Sequence, residues 1–162
     1  MIIEDGVKMK VKVLKRNPLA VLPFKAHDDD AGWDLTYCSK TPGEETYIAP
    51  GESKLFDTGL SFFIPKQYCI LVRNRSGVAS KKGLLVGAEL VDAGYTGTVF
   101  VNLHNVGQAT RTFSHGDKIA QFLILPVPEA QMEEVSEEIY DFLHSNSKRK
   151  DGALGSTDNK KA

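Results

Sequence analysis

The chain has 162 residues, a length typical of one domain with a single hydrophobic core. Its 20 Lys and Arg residues are balanced by 21 Asp and Glu residues, so the net charge of -1 does not indicate a general nucleic-acid-binding surface. Apolar residues make up 41%, which argues against wholesale disorder, and no apolar run reaches the roughly 18 residues that a membrane span needs.

The N-terminus and the cysteines give a first expectation about the compartment. The first ten residues are mixed and partly acidic, without the apolar stretch of a secretory signal. Cys38 and Cys69 form neither a metal-type pair nor a dense disulfide framework, although the sequence leaves one bridge between them open. We therefore expect a cytoplasmic protein without a signal peptide.

Short runs rich in Val, Ile, Phe, Tyr and Thr follow one another along the first 125 residues, separated by Gly and Pro at short intervals. The clearest predicted strands are residues 10–14, 60–64, 68–72, 98–103 and 119–125. Many short strands with frequent turn signals are typical of an all-β sandwich or closed barrel. The sequence therefore predicts an all-β fold.

The chain changes character towards its C-terminus. Residues 129–144 carry six acidic side chains and no Lys or Arg. Their apolar residues recur at three- to four-residue spacing, which favours a short amphipathic helix, and an extended run over 132–135 before a brief helix fits nearly as well. Residues 145–157 are polar, small and basic, so they cannot bury enough apolar area to order themselves. We predict a β domain over 1–144 and a mobile C-terminal arm over 145–162.

One candidate for chemistry is the segment 90–97, Leu-Val-Asp-Ala-Gly-Tyr-Thr-Gly. Its two glycines between apolar runs predict a hairpin with the turn near residues 94–97. Asp92 would then end the incoming strand, where a carboxylate can hold and deprotonate a water. Tyr95 offers a flat apolar face to a sugar or a base. Taken alone, the segment fits turn capping by Asp92 and simple packing of Tyr95 at least as well.

Other segments have the composition of phosphate-binding loops. Arg75-Ser76-Gly77 joins a guanidinium to a hydroxyl and to a backbone that an anion can approach closely. Gly155-Ser156-Thr157, with Arg149 upstream, offers backbone, two hydroxyls and a second guanidinium. A common polar turn and a flexible tail are the plainer interpretations of these two segments.

Two polar residues lie within predicted strands. Asp34 follows Gly32 where a strand begins, and Gln121 interrupts the apolar run after the turn at 116–118. Each has an ordinary interpretation, which is turn capping for Asp34 and solvent exposure for Gln121. Neither residue indicates a function when it is considered by itself.

Considered together and in this order, five segments resemble the motifs of the trimeric dUTPase family (deoxyuridine 5′-triphosphate nucleotidohydrolase). They are Ala31-Gly32-Trp33-Asp34-Leu35, Arg75-Ser76-Gly77-Val78-Ala79, residues 90–97, residues 116–122, and residues 152–157 preceded by Arg149. The resemblance runs from Ala31 to Thr157. It implies an all-β jelly roll, or distorted β-barrel, that assembles as a homotrimer whose active sites are shared between subunits.

The resemblance also implies a reaction, which is hydrolysis of dUTP to dUMP and pyrophosphate with Mg²⁺ as cofactor. Water attacks the α-phosphorus, and the enzyme limits uracil incorporation into DNA while supplying dUMP for dTTP synthesis. We expect it in the cytoplasm of a bacterium or of a virus-infected cell, with no nucleic-acid or membrane partner. By similarity, Asp92 activates the water, and Tyr95 packs on the deoxyribose and excludes a 2′-hydroxyl. Leu90, Val91 and Phe100 lie around the uracil, which backbone groups read.

The remaining motifs are implied to bind the phosphates and the metal ion. The phosphate-binding residues are Arg75, Ser76, Gly77 and Gln121, joined by Arg149, Gly155, Ser156 and Thr157 of the C-terminal arm. Leu154 of the same arm is implied to bind the substrate at the position that covers the base. Asp34 is implied to hold waters of a Mg²⁺ ion that the phosphates themselves mainly bind, in keeping with the preference of Mg²⁺ for phosphate oxygens and water.

The sequence departs from the family pattern at two informative positions. Leu154 replaces the aromatic residue that usually stacks on the base, so a stacking contribution of about 0.5–1.5 kcal/mol is absent. Glu89 replaces a common glycine beside the uracil pocket, where a carboxylate is unfavourable unless its side chain points away.

Two alternative functions are weighed against dUTP hydrolysis. A dCTP deaminase of the same fold needs a glutamate ten residues after Asp92 as a proton shuttle, and Asn102 stands there instead. A nucleotide-gated regulatory binding protein is left open by Glu89, Leu154 and the acidic stretch. Ammonia release from dCTP would identify the first alternative, and a lack of pyrophosphate release from dUTP would identify the second.

Overall fold

The computed structural model describes residues 9–41, 43–148 and 150–151, and the chain divides into two compact units between Pro128 and Glu129. In chain order the strands are β1 Lys12–Lys15, β2 Trp33–Thr36, β3 Thr46–Ile48, β4 Ser53–Asp57, β5 Leu60–Phe63, β6 Tyr68–Arg73, β7 Leu84–Val86, β8 Leu90–Val91, β9 Phe100–Asn105, β10 Arg111–Phe113 and β11 Lys118–Pro126. Two helices complete the described elements, α1 Ser76–Lys82 in the first unit and α2 Glu137–Asn146 in the second. The predicted all-β class is confirmed.

The first unit is a jelly roll built from antiparallel strands. One sheet has the order β2-β11-β6-β8 and another has the order β4-β9-β7, while β1 pairs with β5 and β10 with β3. The core draws on nearly all of these strands. Phe56 on β4 is its aromatic centre, because its ring packs edge-on against Tyr37 at 5.1 Å and Phe113 at 4.7 Å between centroids.

Strand β9 shows how the sequence pattern produces this arrangement. Its alternate residues Val101, Leu103 and Asn105 are buried, whereas Phe100 is exposed, as the two-residue period of a strand requires. The buried amide of Asn105 is fully used, since it donates to Ile48 O and Ala109 O, both at 2.9 Å, and accepts from Gly107 N. A polar group can therefore lie in this core without an unpaired donor.

Helix α1 was not expected from the sequence, which indicated a simple turn at residues 75–77. The helix has Arg75 at its N-cap position without a side-chain cap hydrogen bond, buries Val78, and ends at Gly83, whose φ of 67° is left-handed. A Cβ atom on Gly83 would also come within 2.9 Å of Gly107 Cα, so glycine is needed there twice over. Lys81 and Lys82 lie in the last turn, where positive charge interacts favourably with the C-terminal end of the helix dipole.

The predicted hairpin at residues 94–97 is wrong. Strands β8 and β9, which flank that segment, belong to different sheets. Strand β8 pairs with β6, matching Val91 to Ile70 and Leu90 to Leu71. Strand β9 pairs with β4 along residues 100–104 and with β7 at residues 103–105, and neither of these partners is β8. The segment is a tight turn inside a crossing from one sheet to the other.

The second unit contains helix α2. Residues 129–135 form no regular element, and Ser136 then caps the helix by accepting from Ile139 N at 3.4 Å. Glu137 and Glu138 in the first turn suit the helix dipole. The predicted short helix is found at Glu137–Asn146, and residues 132–135 before it form no regular element. No helix within the described ranges is long and apolar enough to span a membrane.

Candidate functional site

The residues singled out from the sequence line two cavities of the first unit that share no lining residue. The cation cavity, of about 770 Å³, is lined by Ala26, His27, Asp30, Ala31, Gly32, Asp34, Arg73, Asn74, Arg75, Ser76, Gly77, Gln121 and Leu123. The turn cavity, of about 340 Å³, is lined by Leu55, Val72, Ala88, Leu90, Val91, Asp92, Tyr95, Thr98, Val99 and Phe100. The predicted phosphate residues of the described chain thus lie in one cavity, and the predicted base and sugar residues lie in the other.

Asp34 pairs with two cations, of which Arg75 lines the first cavity. It lies on β2, is buried, and accepts from Arg75 Nε through Oδ1 and from Lys118 Nζ through Oδ2, both at 2.7 Å. Lys118 Nζ also lies 4.4 Å from the centroid of the Phe24 ring, which is a favourable cation–π distance. Because a buried carboxylate must be paired, these two contacts fix Arg75 and Lys118 in place.

Gln121 is held at the centre of the same cavity instead of facing solvent. It lies on β11 opposite Asp34 of β2, and its amide donates to Asn74 O at 2.9 Å. A Cβ atom on Gly32 would come within 2.7 Å of Gln121 Oε1. The absence of a side chain at Gly32 therefore leaves the space that the Gln121 amide fills.

Ser76 and Gly77 bring backbone to the cavity at the start of α1. The backbone carbonyl of Ser76 accepts from Ser80 Oγ at 2.6 Å, which holds the first turn of the helix. A Cβ atom on Gly77 would meet nothing within 4 Å, so the chain is open to the cavity at that position. An anion can therefore approach the backbone closely there.

The turn cavity combines apolar side chains with one carboxylate. Leu90 and Phe100 are 62% and 46% exposed, so they form an apolar wall that a ligand can reach. Asp92 follows β8 and is exposed, and its carbonyl accepts from Tyr95 N at 3.0 Å to close the turn. The turn therefore presents a carboxylate beside an apolar wall.

The Tyr95 ring is held by two contacts. Its hydroxyl donates to Thr98 O at 2.8 Å. A Cβ atom on Gly97 would lie 2.6 Å from Tyr95 Oη and 2.7 Å from Cζ, so the ring lies directly against this glycine. The sequence indicated a turn glycine at Gly97, and the structure shows that its small size is what seats the tyrosine.

Glu89 does not line the turn cavity. Its carboxylate pairs with Arg73 through a 2.8 Å contact between Oε2 and Nη1. The side chain thus points away from the apolar wall, which answers the concern that its presence in the motif raised. Sequence reasoning missed Arg73, although a second arginine two residues before Arg75 was a visible signal.

The other predicted site residues cannot be placed in these cavities. Arg149, Leu154, Gly155, Ser156 and Thr157 lie outside the described residues. Asn102 lies on β9, and its amide is 3.3 Å from His104 Nε2. No carboxylate therefore occupies the position at which the deaminase alternative needs a glutamate.

The donor set for a metal ion is small. Within the described ranges no group of three or more His, Cys, Asp or Glu side chains is arranged to hold one. Asp34 and Asp30 are the two carboxylates that line the cation cavity. Both Asp34 oxygens already accept from Arg75 and Lys118, so this carboxylate suits contact with the water shell of a Mg²⁺ ion that substrate phosphates would mainly bind.

Comparison with known proteins points in one direction. The dUTPase family model matches residues 20–157. The deoxyuridine 5′-triphosphate nucleotidohydrolase of Gloeobacter violaceus is 38% identical over 138 residues, 84% of this chain and 88% of the relative. The enzyme of that name from Gloeothece citriformis is 39% identical over 151 residues, 92% of this chain and 97% of the relative.

Solved structures agree with the fold. A mutant dUTPase from phage phi11 of S. aureus, described with a structural Mg(II) ion, is 26% identical and has a TM-score of 0.71 over 80% of this chain and 98% of that one. A Staphylococcus bacteriophage 80alpha dUTPase mutant with dUpNHpp has a TM-score of 0.79 over 93% of this chain and 99% of that one. At 24% identity, the second likeness concerns the fold alone.

Proposed function

This chain belongs to the dUTPase family, and we propose how its own residues carry out the hydrolysis of dUTP to dUMP and pyrophosphate. The chain is a dUTP diphosphatase, so its residues must bind the nucleotide and activate the attacking water. One observation carries the assignment of roles. The four motifs that lie in the described chain gather into two cavities, one with two arginines beside hydroxyl, amide and backbone donors and the other an apolar wall with a carboxylate.

Asp92 is the residue that acts on the attacking water. Its exposed carboxylate accepts a hydrogen bond from the water and aims the oxygen at the α-phosphorus. As the new P–O bond forms, the bond from the α-phosphorus to the bridging oxygen breaks and pyrophosphate leaves. The proton of the water passes to Asp92, which acts as the general base.

The turn cavity selects the nucleoside. The Tyr95 ring packs on the deoxyribose and leaves no room for a 2′-hydroxyl, so UTP is rejected. Leu90, Val91 and Phe100 enclose the uracil, and backbone groups of their strands read its N3–H and O4. The exocyclic amine of cytosine would present a donor where uracil presents an acceptor, and an unpaired buried donor is strongly unfavourable.

The cation cavity binds the phosphates. Arg75 can donate two hydrogen bonds to phosphate oxygens, and Ser76, Gly77 and Gln121 add hydroxyl, backbone and amide donors. Asp34 holds Arg75 ready through the 2.7 Å pair. A bound Mg²⁺ ion supplies charge neutralisation between phosphate oxygens, and Asp34 is the residue that would contact its water shell.

We propose that the enzyme is a homotrimer with shared active sites. Support comes from the two cavities, because they have no residue in common and each has only part of the required chemistry. In this arrangement the cation cavity of one subunit faces the turn cavity of its neighbour. The C-terminal arm, with Arg149 and residues 154–157, closes over the γ-phosphate and excludes water. The enzyme works in the cytoplasm, where it limits uracil incorporation into DNA.

The central test is the Asp92→Asn variant. We expect it to keep its affinity for dUpNHpp, since the amide has the same shape, and to lose turnover by about 10²–10⁴-fold. Pyrophosphate release from micromolar dUTP with Mg²⁺ is the measurement. Asp29→Asn, an exposed aspartate that lines neither cavity, is the matched control. Equal rates for Asp92→Asn and the parent would refute the assignment.

The C-terminal arm is tested by truncation after Lys148. We expect the truncated chain to assemble normally, as measured by light scattering, and to lose most of its pyrophosphate release. Full activity in that chain would remove the arm from the mechanism. Incubation with dCTP addresses the deaminase alternative, and we expect no ammonia because Asn102 cannot shuttle a proton.

A further inference from the structure

Arg73 stands in the phosphate site without a role in the mechanism above. We propose that it is a further phosphate-binding residue, which Glu89 holds in place until a nucleotide displaces the carboxylate. The inference rests on the proposed function and extends its phosphate site. It concerns a residue that the sequence motifs did not include.

The strand register places Arg73 in the site. Gln121 on β11 is paired with Asp34 of β2 on one side and with Arg73 of β6 on the other. Directly opposed residues of antiparallel strands point to the same face of a sheet, so these three side chains form one row across it. Neighbouring strands lie about 4.8 Å apart, so the row is about 10 Å long. All three side chains line the cation cavity.

Arg73 can exchange its ion-pair partner more easily than the cations that Asp34 holds. Asp34 holds both Arg75 and Lys118. Arg73 instead pairs with Glu89, and the two side chains are 49% and 30% exposed. An ion pair that water reaches to this extent contributes little to stability, so replacing Glu89 by a phosphate oxygen costs little.

The guanidinium geometry suits such an exchange. Among the described residues the side-chain contact of Arg73 is the one from Nη1 to Glu89, so Nε and Nη2 remain for an oxyanion. A guanidinium can donate two parallel hydrogen bonds to phosphate, and a triphosphate carries more negative charge than one carboxylate. Glu89 therefore keeps the arginine beside the cavity and gives way to a more highly charged ligand.

A purely structural role is the competing explanation, in which Arg73 only neutralises Glu89. The variants Arg73→Gln, Glu89→Gln and the double variant separate the two roles. The measurement is calorimetric binding of dUpNHpp with Mg²⁺. Deoxyuridine, which has no phosphate, is the control ligand, and its binding is followed by NMR titration.

We expect Arg73→Gln to weaken dUpNHpp binding about tenfold, the effect of one lost charge-assisted contact, and to leave deoxyuridine binding unchanged. Glu89→Gln should strengthen dUpNHpp binding by about two- to threefold, because a competitor for Arg73 is gone. The double variant should remain as weak as Arg73→Gln.

Three results would overturn the inference. They are wild-type affinity in the double variant, equal losses for dUpNHpp and deoxyuridine, and no effect of Arg73→Gln while the wild-type protein binds dUpNHpp. Failure of the wild-type protein to bind dUpNHpp would instead overturn the proposed function. The two failures are therefore distinguishable in one set of titrations.

Discussion

Replacing Gly97 by alanine tests whether the seat of Tyr95 sets sugar selectivity. The new Cβ atom would lie 2.6 Å from Tyr95 Oη and 2.7 Å from Cζ, so the ring must move and its 2.8 Å bond to Thr98 O must break. Tyr95 is 46% exposed, so the ring can turn into solvent. The cost to the fold is then about one hydrogen bond, or about 0.5–1.5 kcal/mol.

The functional effect should be larger than the effect on stability. In the proposed mechanism the Tyr95 ring fills the space of a 2′-hydroxyl, so we expect its displacement to lower the ratio of kcat/KM for dUTP to that for UTP about tenfold or more. For a domain of this size, the expected stability loss lowers the thermal midpoint by only a few degrees. Pyrophosphate release with each nucleotide and a thermal melt are the two assays.

Gly94→Ala is the matched control for this experiment. It makes the same substitution in the same turn, but its Cβ atom would meet nothing within 4 Å. We expect Gly94→Ala to keep the selectivity of the parent. If Gly97→Ala and Gly94→Ala had the same dUTP to UTP ratio, the argument that Gly97 seats a selective Tyr95 would be refuted.

Two further predictions follow from contacts elsewhere in the first unit. Gly32→Ala should raise KM for dUTP about fivefold in steady-state assays. The new Cβ atom would displace the Gln121 side chain from its 2.9 Å hydrogen bond to Asn74 O. An unchanged KM would contradict this prediction. Burial raises the pKa of the Cys38 thiol, with Asp57 raising it further and Lys15 lowering it. As the pH rises, the thiol of the unfolded chain therefore loses its proton before the thiol of the folded chain does. The free energy of unfolding should then fall as the pH rises above about 8.5. Urea unfolding between pH 7 and 10 should show that the free energy of unfolding falls less steeply with pH in Cys38→Ala than in the parent. Identical pH dependence in the two proteins would refute the role of Cys38.

Strand positions were the part of the fold that local sequence predicted best. The predicted run at 119–125 became Lys118–Pro126, and the run at 68–72 became Tyr68–Arg73, since alternating or continuous apolar residues decide both. Helix α1 was not predicted because it begins with Ser76 and Gly77, which do not favour a helix. The signal that was available lay at its other end, where Lys81 and Lys82 precede Gly83.

Long-range pairing could not be predicted from local pattern. The hairpin prediction was locally sound for two glycines between apolar runs, and it failed because β8 pairs with β6 while β9 pairs with β4 and β7. The contacts of Asp34 with Arg75 and Lys118 join residues far apart in sequence. The motif order predicted a set of site residues, and only the register of β2, β11 and β6 showed that Arg73 stands in the same row as two of them.

The crossing from β8 to β9 has a consequence for how this enzyme tolerates change. Residues 92–99 are tied at each end to a different sheet, so their length is matched to the gap between two rigid layers. An insertion there would change the position of Asp92 relative to the two sheets, whereas an insertion in residues 129–135, which form no regular element of the second unit, would not. Lengthening of the chain over evolution should therefore accumulate at such unstructured stretches and spare the bridge between the layers.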